Sequence, residues 1–227
     1  MPMKKLFRNR FQAGSLLARR LGAYARRPDV IVLALPRGGV PLGFAVARAL
    51  EVPLDIISVR KLGLPGHPEY AIGAVAAEGP CLLKTGEIAM FGVPAEAIEA
   101  LVEHERLEIA RREALYRAGR PVPQLQDKVV ILVDDGIATG STMQLAVRLA
   151  RRAHAAKIIV AVPVAANDTC AELAPEVDAL ICLRTPQPLY SVGQWYDDFG
   201  QTSDEEVTRL LRMARREATR NPDGQTS

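Results

Sequence analysis

Five short apolar runs, spaced along the whole chain, leave few folds open. They are VIVLAL (30–35), PLDIISV (53–59), KVVILVDD (128–135), KIIVAVPVA (157–165) and VDALICL (177–183). None shows the strict alternation of a strand with one wet face, so each reads as a strand, the first three buried on both faces. Helical spacing fills the gaps. In 11–26 the apolar positions Leu16, Leu17, Leu21 and Ala25 recur, and Pro28-Asp29 closes the segment. PLGFAVARAL (41–50) carries its proline in the first turn, where a helix tolerates one. Further helices are expected at 95–117, 143–153, 168–174 and 204–217, the last with Ser203 as N-cap and acids in its first turn. Buried strands alternating with helices predict an α/β, Rossmann-like fold: a parallel five-stranded core sheet flanked by helices. RKLGLPGHPEY (60–70) reads as a Gly/Pro-rich loop, followed by two short strands in 71–84.

Composition narrows the function classes. The chain has 227 residues, 48% hydrophobic and 24% charged, enough to bury a core. The net charge of +3 is interleaved rather than blocked, which suits a small anion better than nucleic acid. Arg148, Arg151 and Arg152 supply only a small basic face. Cys81, Cys170 and Cys182 form no C-x-x-C pair, and His67, His104 and His154 lack metal-ligand spacing. No apolar run approaches a membrane span and no signal peptide is evident, so the expected location is the cytoplasm. The expected organisation is one domain over 1–220, with an accessory helix at about 95–120, a hood at about 184–200 and a disordered tail at 221–227.

Ligands of such sheets sit at the carboxyl ends of the strands. There, the loop after residue 133 is the most informative. An apolar strand ends in Asp134 and Asp135, and Gly136-Ile137-Ala138-Thr139-Gly140-Ser141-Thr142 then opens a helix. Small residues let backbone N–H groups approach an anion, and the helix N-terminus favours negative charge. The hydroxyls of Thr139, Ser141 and Thr142 add donors. Two acids beside a phosphate cradle would repel the ligand unless they meet hydroxyls or a cation; a sugar phosphate or Mg²⁺ satisfies that condition. A lysine before Ser141, as a Walker A loop requires, is absent, and no G-x-G-x-x-G follows the first strand. The competing reading is a capped helix with solvated acids.

V-I-L-V-D-D-G-I-A-T-G-S-T resembles the signature with which type I phosphoribosyltransferases bind PRPP (5-phosphoribosyl 1-diphosphate). The resemblance implies that Asp134 and Asp135 hold the ribose hydroxyls, while Gly136, Ala138, Thr139, Gly140, Ser141 and Thr142 surround the 5-phosphate. Three further segments are similar to parts of that family. Pro36-Arg37-Gly38-Gly39 resembles the diphosphate loop, although alone it is also an ordinary strand-to-helix turn. Arg60-Lys61 resembles the start of the mobile loop, where cations neutralise the leaving diphosphate; a solvated basic turn is the alternative. Tyr190 to Phe199 resembles the strip that holds the base. It offers Tyr190 and Trp195 for stacking and Asp197 for a metal-bound water; a small aromatic satellite core is the alternative.

The resemblance thus implies a PRPP-dependent transferase with Mg²⁺ as cofactor, Arg37 and Lys61 as catalytic groups, and a homodimer. The whole-length pattern is most similar to bacterial phosphoribosyltransferases whose acceptor is undefined. Ala138 stands where hypoxanthine-guanine enzymes have an acidic base, a departure that weakens a 6-oxopurine acceptor. A sensor on the same fold, binding PRPP or a nucleotide without turnover, is the rival from another class. The 95–120 segment is longer than the minimal core needs. It reads as a hood, a dimer contact or a solvated amphipathic helix.

Overall fold

The computed structural model describes residues 5–220, so the expected tail at 221–227 lies outside the described residues. In chain order the first half comprises α1 (Arg10–Arg20), β1 (Val30–Ala34), α2 (Gly39–Leu50), β2 (Leu54–Ile56), β3 (Val59–Leu64), β4 (His67–Ala76) and β5 (Cys81–Leu83). Then follow α3 (Thr85–Met90), α4 (Ala95–Arg117), β6 (Val129–Val133), α5 (Ser141–Arg152), β7 (Lys157–Val164), α6 (Asn167–Leu173), β8 (Ala179–Arg184) and α7 (Asp204–Arg220). Five strands form the main sheet in the order β2-β1-β6-β7-β8, and every neighbouring pair is parallel.

The lack of alternation in the apolar runs has its explanation here. Val30, Val32 and Ala34 of β1 face the layer of α1, α2 and α7, while Ile31 and Leu33 face the layer of α5. Both faces are dry, so every position is apolar. The same holds for β6, where Ile131 and Val133 point one way and Val130 and Leu132 the other. The first helix is shorter than its apolar spacing suggests. The Asn9 side chain caps α1 by accepting from the Gln12 amide at 3.0 Å, and the helix stops before Leu21, followed by a single 3₁₀ turn at Gly22–Tyr24.

The segment 60–70 is where structure and expectation part. Instead of a loop, β3 and β4 form an antiparallel hairpin that pairs Val59 with Ala76 and Leu64 with His67, closed by Pro65-Gly66 with Gly66 at φ +81°. β5 adds a third strand. One face of this small sheet places Leu62, Leu64, Ile72 and Val75 against Ile98 and Ile109 of α4. The other face sends Val59, Ala74 and Ala76 into the cluster around α5. A register irregularity at Gly63 interrupts the alternation, and the density of Gly and Pro hides it further.

The expected accessory helix is therefore the cover of the hairpin sheet. Its last turn is fixed to the edge of the main sheet: Arg117, 5% exposed, donates to Asp55 Oδ1 at 2.9 Å and to the Ile56 carbonyl at 3.0 Å. Among the described residues no helix is long and apolar enough to cross a membrane.

Candidate active site

Because β1 and β6 are parallel neighbours, the loops leaving their carboxyl ends emerge side by side. The two loops are fitted to each other through missing side chains. A Cβ on Gly38 would lie 2.1 Å from Asp135 Oδ2, and one on Gly39 would lie 2.8 Å from the Val133 carbonyl oxygen and 3.3 Å from Asp134 Oδ1. No side chain fits at either position without displacing the acids. The acid pair is ordered in turn: the Asp135 amide donates to Asp134 Oδ1 at 2.8 Å.

The rest of 134–142 is braced from the next strand and helix. The Ile137 amide donates to the Val164 carbonyl at 2.9 Å, and Thr169 Oγ1 of α6 donates to the Ala138 carbonyl at 2.8 Å. Gly140, at φ +75°, turns the chain into α5 and sits where a Cβ would strike Thr169 Cγ2 at 2.7 Å. Ala138 and Thr139 remain exposed at the loop tip. Ser141, the first residue of α5, is buried, and its Oγ has no hydrogen-bond partner among the described residues. A buried orphan hydroxyl at a helix N-terminus is a feature that a bound anion would resolve.

The electrostatics are equally unsettled. Burial pushes the Asp134 carboxyl well up, and the neighbouring Asp135 charge pushes it further. Burial raises Asp135 as well, opposed by Arg10. Arg10 Nε donates to Asp135 Oδ2 at 2.8 Å, its Nη1 donates to the Gly200 carbonyl at 2.7 Å, and its guanidinium carbon lies 3.9 Å from the centre of the Phe199 ring. The Tyr196 hydroxyl donates to the Asp135 carbonyl oxygen at 2.6 Å. Arg10 carries no local motif, and Tyr196 stands in the Tyr190–Phe199 strip without a role read from it; the meeting of distant segments places both beside Asp135.

The other sequence candidates are more dispersed. Arg37 lies in the glycine loop, with its Nη1 3.7 Å from Asp204 Oδ1 at the start of α7. Arg60 is on β3 and ion-pairs with Glu105 of α4; Lys61, also on β3, is exposed. In the strip, Val192 packs over Gly136. Tyr190 is 83% exposed, whereas Trp195 packs partly buried against the main core, and its Nε1 has no partner. The strip is pinned by the N-terminal segment, since the Trp195 carbonyl accepts from the Phe7 amide at 3.0 Å and the Asp197 amide donates to the Phe7 carbonyl at 2.8 Å. The Asp197 residue itself is exposed.

A parallel sheet with a glycine-rich loop and an acid pair at the carboxyl ends of neighbouring strands defines a doubly wound α/β protein with its candidate ligand site at those strand ends. The comparisons with known proteins are more specific. The family model described as Phosphoribosyl transferase domain matches residues 7–184. A Mycobacterium tuberculosis protein, named as a candidate phosphoribosyl transferase, is 42% identical over 213 residues, which is 94% of this chain and 48% of the relative. The chain thus spans about half the length of the curated relatives it matches. The crystal structure of TT1426 from Thermus thermophilus is 37% identical, covers 91% of this chain and 97% of its own, and superposes with a TM-score of 0.74. AQ2163 from Aquifex aeolicus shares the fold at 10% identity and a TM-score of 0.52, over 81% of this chain and 78% of its own. The chain belongs to the phosphoribosyltransferase family.

Proposed function

We propose that this chain moves the 5-phosphoribosyl group of PRPP to a nitrogenous base and releases diphosphate. The observation that carries the reading is the fit of Gly38 and Gly39 against Asp135 and Asp134. A loop suited to diphosphate and an acid pair suited to ribose hydroxyls stand edge to edge, with the start of α5 beside them. In this reading the loop amides of 138–142 and the hydroxyls of Thr139, Ser141 and Thr142 take the 5-phosphate, and Ser141 Oγ gains its missing partner. Asp134 and Asp135 accept from the ribose hydroxyls. The C1–O bond breaks with its electron pair leaving on diphosphate. Charge developing there is met by the Gly38 amide and by Arg37, Lys61 and Arg60, whereas the Gly39 amide already donates to the Leu35 carbonyl at 3.0 Å. A base nitrogen forms the new bond to C1 and loses its proton. Tyr190 and Trp195 serve the base, the exposed Tyr190 ring being open to stacking.

Magnesium fits this site as an ion that arrives with the diphosphate. Among the described residues no group of three or more His, Cys, Asp or Glu converges to cage a metal. Mg²⁺ commonly takes few carboxylates and several phosphate and water oxygens. The exposed Asp197 is the residue assigned to one of its waters. When bound, the ion offsets charge on the diphosphate.

A second reading, a PRPP or nucleotide sensor without turnover, is favoured by one contact: Arg60 is engaged by Glu105 of α4. Calorimetry with PRPP and Mg²⁺, followed by a diphosphate-release assay over a panel of bases, decides between them. Binding with release for at least one base supports the transferase. Binding without release for any base selects the sensor, and no binding sinks both.

A further inference from the structure

Arg10 makes three contacts through one guanidinium, each to a different part of the site: the Asp135 carboxylate at 2.8 Å, the Gly200 carbonyl at 2.7 Å and the Phe199 ring at 3.9 Å. Its side chain is only 11% exposed, so this cation is spent inside the protein rather than in solvent. It approaches Asp135 through Oδ2, and Oδ1 has no partner among the described residues. The geometry points to Arg10 as a positioning residue for ribose recognition, holding Asp135 by Oδ2 so that Oδ1 faces the substrate. This inference rests on the PRPP reading above. It also adds what that reading lacked, a reason for the acid pair to stay useful when it is buried.

The groups facing Asp135 are few. Arg10 comes from α1, Asp134 adjoins it in the chain, and the Tyr196 hydroxyl from the strip donates to its carbonyl oxygen. The glycine loop brings Gly38 close, and its Arg37 lies 3.7 Å from Asp204 Oδ1 instead. Burial works to keep a proton on Asp135, and Arg10 opposes it. A protonated carboxyl is a poorer acceptor for a ribose hydroxyl than a carboxylate. Removing the Arg10 charge therefore moves the ionisation of Asp135 to higher pH.

The test is PRPP binding with Mg²⁺ by calorimetry from pH 5.5 to 9 in wild type, Arg10→Gln and Arg10→Lys. Arg10→Gln should bind about tenfold or more weakly at the acid end and recover as pH rises. Arg10→Lys keeps the charge and should keep the wild-type pH profile. Equal affinity in Arg10→Gln, or a loss by the same factor at every pH in both variants, overturns the inference and leaves the PRPP reading standing. If wild type fails to bind PRPP, both fall together. Should Arg10→Gln not fold, carboxyl-carbon NMR of the ligand-free wild type decides. Asp135 is expected to titrate below Asp134, and the reverse order would overturn the inference.

Discussion

Two pairs of carboxylates in this protein are pushed in opposite directions. Asp134 and Asp135, at the end of β6, are raised by burial. Glu108 and Asp204, where α4 meets α7, are lowered. Glu108 is held down to about 2 by hydrogen bonds from Arg111 and Arg112, and Asp204 by the Tyr116 hydroxyl with Arg112, Arg111 and Arg37 nearby. The second pair has its cations in place already. Among the described residues the first has one cation, Arg10, for two acids, and an orphan hydroxyl alongside at Ser141. A pair that is satisfied in the folded chain supports the fold; a pair left short supports a ligand. The contrast sets the carboxyl end of β6 apart from the seam of α4 and α7 without reference to any relative.

The largest effect is expected from breaking the fit that creates the shortfall. In Gly38→Ala the new methyl falls 2.1 Å from Asp135 Oδ2, so the acid must move. Displacing a group that positions substrate by about 1 Å costs on the order of 100-fold, and PRPP affinity or turnover should fall by that much. Circular dichroism should show an unchanged fold.

Asp134→Asn sharpens the contrast from the other side. It removes a charge that the folded state holds poorly, so the ligand-free protein should gain roughly 1–3 kcal/mol in urea unfolding while losing PRPP affinity. The sign with pH is definite. A raised folded-state value means that the wild-type contribution is present at low pH and is lost as pH rises past the ordinary aspartate value of about 4. The advantage of the variant should therefore be absent below about pH 4 and grow above it. Glu108 and Asp204 run the opposite way: their contribution is present above about pH 4 and lost as the pH falls, for Glu108 towards about 2.

The smallest effect belongs to the satisfied pair. Tyr116→Phe deletes the hydroxyl that donates to Asp204 at 2.5 Å and should cost roughly 1 kcal/mol, with PRPP affinity unchanged within about twofold. A destabilisation confined to acid pH would show that Asp204 had been held down by something else.

Much of this was legible in the sequence because it is local. Asp134, Asp135 and the loop to Thr142 are consecutive, and the five apolar runs each carry their own burial pattern. The first strand of the hairpin was not, since Gly63, Pro65, Gly66 and Pro68 imitate a loop and the apolar partners Ile98 and Ile109 lie far along the chain, whereas the rest of β4 and β5 fall within the two short strands expected in 71–84. Trp195 was legible as an aromatic that either stacks on a base or packs in a small satellite core, and the structure packs it partly against the main core. Arg10 was invisible, being one arginine among many until residue 135 and the carbonyl of residue 200 are placed beside it.

Phe7 pairs with Tyr196, while Arg10 reaches both Asp135 and Gly200. The site is thus a clasp whose halves lie almost two hundred residues apart. A nascent chain that has released the phosphate loop still lacks the outer half of the clasp. Trimming at residue 184, where the family match stops, would strip Phe7 of its strand partner and Arg10 of its ring and its carbonyl. The stretch that identifies the family is shorter than the stretch that completes the pocket.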